Sequence, residues 1–388
     1  MAMRRYIFIL LVLLSASAMA TEKPKVSFAY DLDFEMNFDN REFAKSRFTP
    51  SMTIFGARVT PALGLSVAEQ DGTQHRLMAG VDVMKDFGAS PVSELIAGGQ
   101  TAETARSLNN LGLFREVSLY YNLRKKVSKV DMELYVGIFP RSAMGGSYSQ
   151  AFFSDSLKFY DNNLEGLLLK FRRPKAYFEV GCDWMGQYGT ARRERFMIFT
   201  AGEGKVLPFM SLGYAGYMLH YANSVQAKGL VDNILLNPYA CFELAEYTGL
   251  QKLSFRLGWL QAIQRDRAYE GRFVYPFGGE FDQEVRNWNV GIHNKMFYGT
   301  DMMPYYNNFD NAGLMYGAQL YFGDPFYRVH DDGATGAGFY DRLEVYYEPK
   351  LSDWLDLRVS AVFHFNGTRY SGCQQVIGLR FDLHELLQ

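Results

Sequence analysis

Val26-Ser-Phe-Ala-Tyr-Asp-Leu-Asp-Phe-Glu-Met-Asn-Phe38 is the stretch on which the fold class turns. Val26, Phe28, Tyr30, Leu32, Phe34, Met36 and Phe38 alternate with Ser27, Ala29, Asp31, Asp33, Glu35 and Asn37. A helix would spread these apolar residues around its circumference. A strand, with successive side chains on opposite faces, sorts them onto one greasy and one acidic side. The run is also long. Strands of soluble domains usually have about five or six residues, whereas crossing a bilayer at a tilt takes about nine to eleven.

The alternation returns at 55–67, 77–83, 117–123, 130–138, 176–184, 355–365 and 377–383. Taken together, such segments predict about 16 strands, beginning near residues 25, 52, 73, 115, 130, 165, 176, 195, 207, 237, 252, 286, 313, 339, 355 and 374. Alternation is weak near 195, 207 and 237, and the connector 298–311 falls on the short-turn side yet is too long for a turn. Elsewhere short connectors, such as 69–73, 124–129, 172–175, 202–205, 247–251 and 349–353, take turns with mostly long ones. Short turns on one side and long loops on the other describe a transmembrane antiparallel up-and-down β-barrel, and an even strand count puts both ends on one side. The competing soluble β-sandwich accounts for neither the strand length nor the loop asymmetry.

The start of the chain fits this destination. Arg4-Arg5 precedes the apolar run 7–14, and Ala18-Met19-Ala20 ends in a small-x-small pattern, so residues 1–20 read as a signal peptide and 21–388 as one barrel domain. No cysteine follows the cut, so no lipid anchor is expected there. Cys182, Cys241 and Cys373 are scattered, with no disulfide framework and no metal-ligand spacing. Without Arg4 and Arg5 the net charge is −4, which argues against nucleic acid as a partner. No linker or fixed-period repeat divides the chain.

The inward positions carry both signs of charge: Arg58, Arg76, Arg124, Lys170, Arg172, Arg256, Arg342, Arg358 and Arg380 among Asp31, Asp33, Glu35, Asp82, Asp131, Glu133, Glu344 and Glu348. Unpaired charges in a dry interior cost several kcal/mol each, so the lumen is expected to be wet or laced with ion pairs. About 16 strands leave room for an aqueous channel.

Over the whole mature length the pattern resembles the outer-membrane porins and porin-like barrels of Gram-negative bacteria. Its sharpest local element is the final strand, where Gly378-x-x-Phe381-x-Leu383 looks like the signal read by the barrel-assembly machinery, although Val376 and the tail 382–388 depart from it. The resemblance implies an outer-membrane location, contact with outer-membrane lipid, passive diffusion of small polar solutes, and a possible homo-oligomer, a trimer in the family. It also implies that the third long loop, 139–163, bends inward to narrow the pore, making Arg141, Asp155, Lys158 and Asp161 constriction candidates opposite the wall residues Arg58 and Arg76. An ordinary solvated loop is the competing reading, since Gly145-Gly146 and a polar tip suit either.

Two other functions compete with the diffusion pore. A substrate-selective transporter would use the aromatic connectors 302–309 and 322–328 to stack on sugar rings, although tyrosine and phenylalanine also populate the interfacial girdle. A hydrolase would need a nucleophile and base. The six histidines, His75, His220, His293, His330, His364 and His384, are dispersed, and His330-Asp331-Asp332 reads as a hydrated turn. The sequence reading is therefore a porin that is not an enzyme, with no cofactor and no metal.

Overall fold

In the computed structural model, residues 24–43, 46–87, 114–190, 192–268, 271–310, 313, 315–330 and 335–382 are described. The expected signal peptide, residues 1–20, together with Asp331, Asp332, His384 and the residues beyond Asp382, lies outside them. The described residues form sixteen strands: β1 Lys25–Glu42, β2 Met52–Ala68, β3 Gln74–Asp86, β4 Phe114–Val127, β5 Val130–Pro140, β6 Asn163–Arg173, β7 Ala176–Gly186 and β8 Arg195–Leu207, then β9 Met210–Tyr221, β10 Val231–Glu243, β11 Lys252–Asp266, β12 Phe277–Asn287, β13 Val290–Thr300, β14 Ala337–Tyr347, β15 Leu355–Asn366 and β16 Arg369–Asp382. Each pairs antiparallel with its chain neighbours, and β1 closes on β16 with Phe34 opposite Phe381. Closure leaves no edge, which allows a sheet to satisfy its backbone hydrogen bonds in lipid.

Phe28, Leu63, Leu77, Val117, Leu119 and Leu257 stand exposed on the outer wall, at 52 to 86% of their full surface. So continuous an apolar exterior would be an aggregation surface in water and is the ordinary exterior of a membrane barrel. The protein is a porin-like β-barrel of the bacterial outer membrane.

Three sequence expectations need correction. The run placed near 286 contains the end of one strand and all of the next: β12 and β13 form a hairpin that turns on Trp288 and Asn289, both at positive φ (49° and 62°). The usual signal for such a turn is Asn-Gly or Asp-Gly, and Trp-Asn hid it. Among the described residues no strand starts near 313. The described residues between β13 and β14, 301–310, 313, 315–330 and 335–336, instead belong to one long connector, on the side opposite the short turns, with short 3₁₀ segments at Gly317–Leu320 and Pro325–Arg328. Finally, β8 runs to Leu207 and turns at Pro208-Phe209, past the turn expected at 202–205, so β9 starts at 210, and β10 starts at 231, earlier than 237.

Candidate functional site

The lumen is divided. On one side, inward-facing Met197, Phe199, Tyr217, Leu219, Leu235 and Leu260 of β8 to β11 are almost completely buried. They are covered by two long loops that enter the barrel, 141–162 and the described part of 301–330. Phe152 reaches the wall of β9, its ring edge-on to Tyr217 at 5.3 Å. From the other loop, Tyr327 packs on Phe297 at 4.9 Å and Phe326 on Tyr340 at 5.1 Å. The expectation of a polar interior holds for only part of the circumference.

Polar contacts lock the loops. The amides of Gly145 and Gly146 donate to Glu179 at 2.8 and 3.0 Å, joined by the Tyr148 hydroxyl at 2.8 Å. A Cβ on Gly146 would lie 2.6 Å from the Cβ of Ala201 and 2.6 Å from the Tyr148 ring, so this close approach requires glycine at 146. Ser149 donates to Glu280 at 2.5 Å. The loops are also knitted to each other: the Asp324 amide donates to the Gln150 carbonyl at 2.9 Å and the Ser154 amide to the Phe322 carbonyl at 2.8 Å.

Opposite this filling, a cavity of about 850 Å³ lies along β1 and β13 to β16. Its outer part is lined by Phe43, Phe48, Ile54 and Phe322, and its deeper part by Glu35, His293, Lys295, Arg342, Glu344 and Arg358. The charges are paired: Arg342 meets Glu344 at 2.9 Å, and Arg358 bridges Glu344 and Glu348 at 3.0 and 2.6 Å. Elsewhere in the lumen Glu133 receives Lys170 and Arg124, both at 2.7 Å. Such pairing removes much of the desolvation cost that isolated charges would carry.

The constriction candidates fall into three groups. Asp155 and Lys158, on the short helix Asp155–Tyr160, line the cavity 3.4 Å from each other, and Asp155 lies 3.7 Å from Arg342 across the lumen. Arg141, Asp161 and Arg58 anchor the loop. Arg141 bonds Asp161 at 3.1 Å and the Asn163 carbonyl at 3.1 Å, closing the base of the loop, and Arg58 is buried against Asp82 at 3.0 Å and donates to the Tyr160 carbonyl at 3.2 Å. Arg76 stands alone as the third, two residues from the start of β3 at the short-turn end of the wall.

The described histidines are spread over both faces. His293 bonds Asp282 at 2.7 Å in the lumen, and buried His364 bonds the Tyr340 hydroxyl and Gln374 at 2.9 and 2.8 Å. On the outer wall, His75 meets Glu69 at 3.1 Å and the Tyr121 hydroxyl at 2.7 Å, and His220 stacks on Phe196 at 4.8 Å. No serine or threonine hydroxyl of the described residues is hydrogen-bonded to a histidine.

The fold and lumen thus define an outer-membrane barrel whose interior is largely occupied by its own loops. A family model described as lipid A 3'-O-deacylase-type matches residues 21–227, more than half of the chain, and the protein belongs to this family. The expectation that it is not an enzyme is overturned by that match, because the family is one of enzymes. The porin pattern described the wall of the barrel, and alternation in a wall carries no information about catalysis.

Solved structures similar to the chain include a triple mutant of the Rhodopseudomonas blastica porin (10% identity, TM-score 0.45, covering 92% of this chain and 100% of that one). Others are OccD3 of Pseudomonas aeruginosa (9%, 0.46, 94% and 93%) and a loop-deletion mutant of OmpT of Vibrio cholerae (12%, 0.49, 93% and 100%). Among curated proteins no sequence matches the chain. Likeness at this level says nothing about activity, and the barrel assignment stands on the strand pairing.

Proposed function

We propose that the protein is an outer-membrane deacylase that removes the ester-linked acyl chain at the 3' position of lipid A. The observation that carries this reading is the family match over residues 21–227. The packing of two loops through the lumen supports it, since a general diffusion pore needs an open cross-section and an enzyme needs a rigid scaffold for a site. The test is incubation of the folded barrel with 3'-O-acylated lipid A and mass spectrometry of the product. Loss of one acyl chain, only from substrate carrying the 3' ester, is the expected result. Unchanged lipid under conditions where the barrel is demonstrably folded would refute it.

A second reading, passage of small polar solutes, is favoured by the cavity of about 850 Å³ with its charged deep wall. In this reading the path runs off centre, with Asp155, Lys158 and Arg342 at its narrowing.

A further inference from the structure

Three polar side chains interrupt the lipid-facing wall on neighbouring strands: Gln283 of β12, Asn294 of β13 and Asp341 of β14. Their orientation follows from their chain neighbours. Asp282 and His293 bond each other in the lumen, Glu284 accepts from the Tyr346 hydroxyl, Lys295 and Arg342 line the cavity, and Tyr340 is buried against Phe326. Because successive side chains alternate between faces, Gln283, Asn294 and Asp341 point outward. Their outward companions Val285, Ile292, Leu343 and Val345 are apolar, with Ile292 50% and Val345 40% exposed. Each of the three polar residues has at least four strand residues on either side, so none belongs to a turn or to the rim.

Their hydrogen-bonding capacity is under-used. Gln283 makes no side-chain hydrogen bond with the described residues. Asn294 and Asp341 lie beside each other, yet the Oδ1 atom of each has no hydrogen-bond partner. Hydrocarbon offers no water to satisfy such groups, and polar residues at this depth are costly unless another surface does so. The three also form a column. Gln283 is directly opposite Asn294, and Asp341 is opposite Met296, two residues nearer the long-loop end. The strands lean: Val290 is level with Tyr347 and Tyr347 with Val359, yet β15 begins four residues below Val359, so the short-turn ends step downward from β13 to β15. At a tilt of about 40°, with strands roughly 4.8 Å apart, climbing two residues while crossing one strand in that direction gives almost no sideways displacement. Asp341 therefore stands above Asn294 along the membrane normal, and Gln283 slightly below and to one side.

We propose that this column is the seam of a homodimer, in which two barrels meet across a two-fold axis along the membrane normal. All copies insert with the same side outward, so a symmetric lateral contact has its axis along the normal, and a column parallel to that axis meets its own counterpart. A primary amide is its own complement, because it carries both donor and acceptor. The Gln283 amides of the two copies exchange N–H···O bonds, and so do the Asn294 amides. With two N–H bonds, Asn294 donates one across the seam and keeps the other for Asp341. Lipid tails give lateral contact no hydrophobic drive, so packing and hydrogen bonds of this kind hold surfaces together within the membrane. An isologous seam closes at two copies, in contrast to the trimer that the porin resemblance implies. The dimer stands whether or not the barrel is a deacylase.

The test uses the intact barrel in vesicles of phosphatidylethanolamine and phosphatidylglycerol, diluted until randomly placed barrels rarely coincide, with single-molecule photobleaching counting copies. The wild type should be mainly dimeric. Gln283→Leu, Asn294→Leu and Asp341→Leu together should lower the ratio of dimer to monomer by about tenfold or more, since the seam's hydrogen bonds are gone. Heat-modifiable gel migration should show that this variant folds at least as well as the wild type, because leucine suits lipid. In a Cys182→Ala, Cys241→Ala, Cys373→Ala background, Asn294→Cys should form an intermolecular disulfide on mild oxidation. Val136→Cys, on the outer face of β5 across the barrel, should not. Single copies or trimers of the wild type, a leucine variant that dimerises like the wild type, or equal cross-linking from positions 136 and 294 each overturn the seam. A leucine variant that fails to fold would assign the three polar residues to assembly of the wall, and the seam then stands only if position 294 cross-links and position 136 does not.

Discussion

Asp33 and Phe34 are adjacent in β1 and live in different solvents. Phe34 faces lipid, its ring edge-on to Phe381 at 5.5 Å, whereas Asp33 faces the lumen near Arg380, Asp31 and Asp382. Phe34→Arg should therefore impair assembly by roughly 2 to 4 kcal/mol, the cost of a cation on the lipid face near mid-membrane. Asp33→Arg should be tolerated, because two carboxylates remain beside it. Heat-modifiable migration of the two variants checks this, and equal behaviour would contradict the inside–outside assignment. A second residue couples a loop to pH. Burial, the largest influence, raises the Asp301 carboxyl to about 6, against the lowering effects of the Met303 amide and of Arg328 and His330. Its proton is therefore held more tightly when the loop is docked than in a free chain, where an aspartate titrates near about 3.9. The sign follows: docking of 301–336 is firmest below that value, weakens as pH rises through about 6, and is constant above. Limited proteolysis of this loop should be several-fold faster at pH 7.5 than at pH 5, and Asp301→Asn should abolish the difference.

At the scale of elements, legibility depended on what each wall segment faces. β1, with lipid on one side and paired charges on the other, alternates cleanly, and its start, Lys25, is where the sequence placed it. β8, β9 and β10 were faint for a physical reason. Their inward residues, Phe199, Tyr217, Leu219 and Leu235 among them, pack against loop side chains, so both faces are apolar and the period of two is erased. The 301–336 loop mimicked a strand because its own buried residues, such as Leu320, Tyr321 and Phe326, give it an apolar content that loops usually lack. The alignment of Trp184, Phe196, His220, Asp232 and Arg265 across the outer wall was invisible for another reason: neighbours in it are 12 to 33 positions apart in the chain, and only strand register brings them together. The 141–162 loop carries a consequence for stability. Loop-closure entropy alone would suggest that deleting 145–161 changes stability little. Phe152 has no solvent exposure and Phe153 is 3% exposed, so the deletion also removes core. Phe152→Ala alone should destabilise by about 3 to 5 kcal/mol, the usual range for a buried phenylalanine. Urea titration of the folded band is the measurement, and a loss below about 1 kcal/mol would mean that the loop is not docked in solution.

The whole molecule is a wide wall closed around a packed interior, and that combination separates the two functional readings by conductance. A sixteen-stranded wall is wide enough for a water-filled passage, but here the loops 141–162 and 301–336 occupy one side and the remaining space is the cavity against β1 and β13 to β16. Within that cavity Asp155 and Arg342 lie 3.7 Å apart from opposite sides, close enough to bar a hydrated ion without their separation. Single-channel current through the wild type in a planar bilayer should therefore be far below that of an open barrel of equal strand number. Replacing residues 303–328 by a short turn removes Tyr305, Tyr316, Leu320, Tyr321, Phe326 and Tyr327 from the lumen and should raise the current at least several-fold, with the enlarged path limited by the wall. Asp155→Lys should act differently: it places a third cation beside Lys158 and Arg342 and should shift residual selectivity toward anions, since a fixed charge governs ions within about a Debye length of roughly 10 Å. A large wild-type current, unaffected by shortening the loop, would mean that the packed interior opens in the membrane and would restore the diffusion-pore reading. A small current that the shortened loop increases, together with a selectivity that follows residue 155, would identify the loops as the element that converts a pore-sized barrel into a closed scaffold.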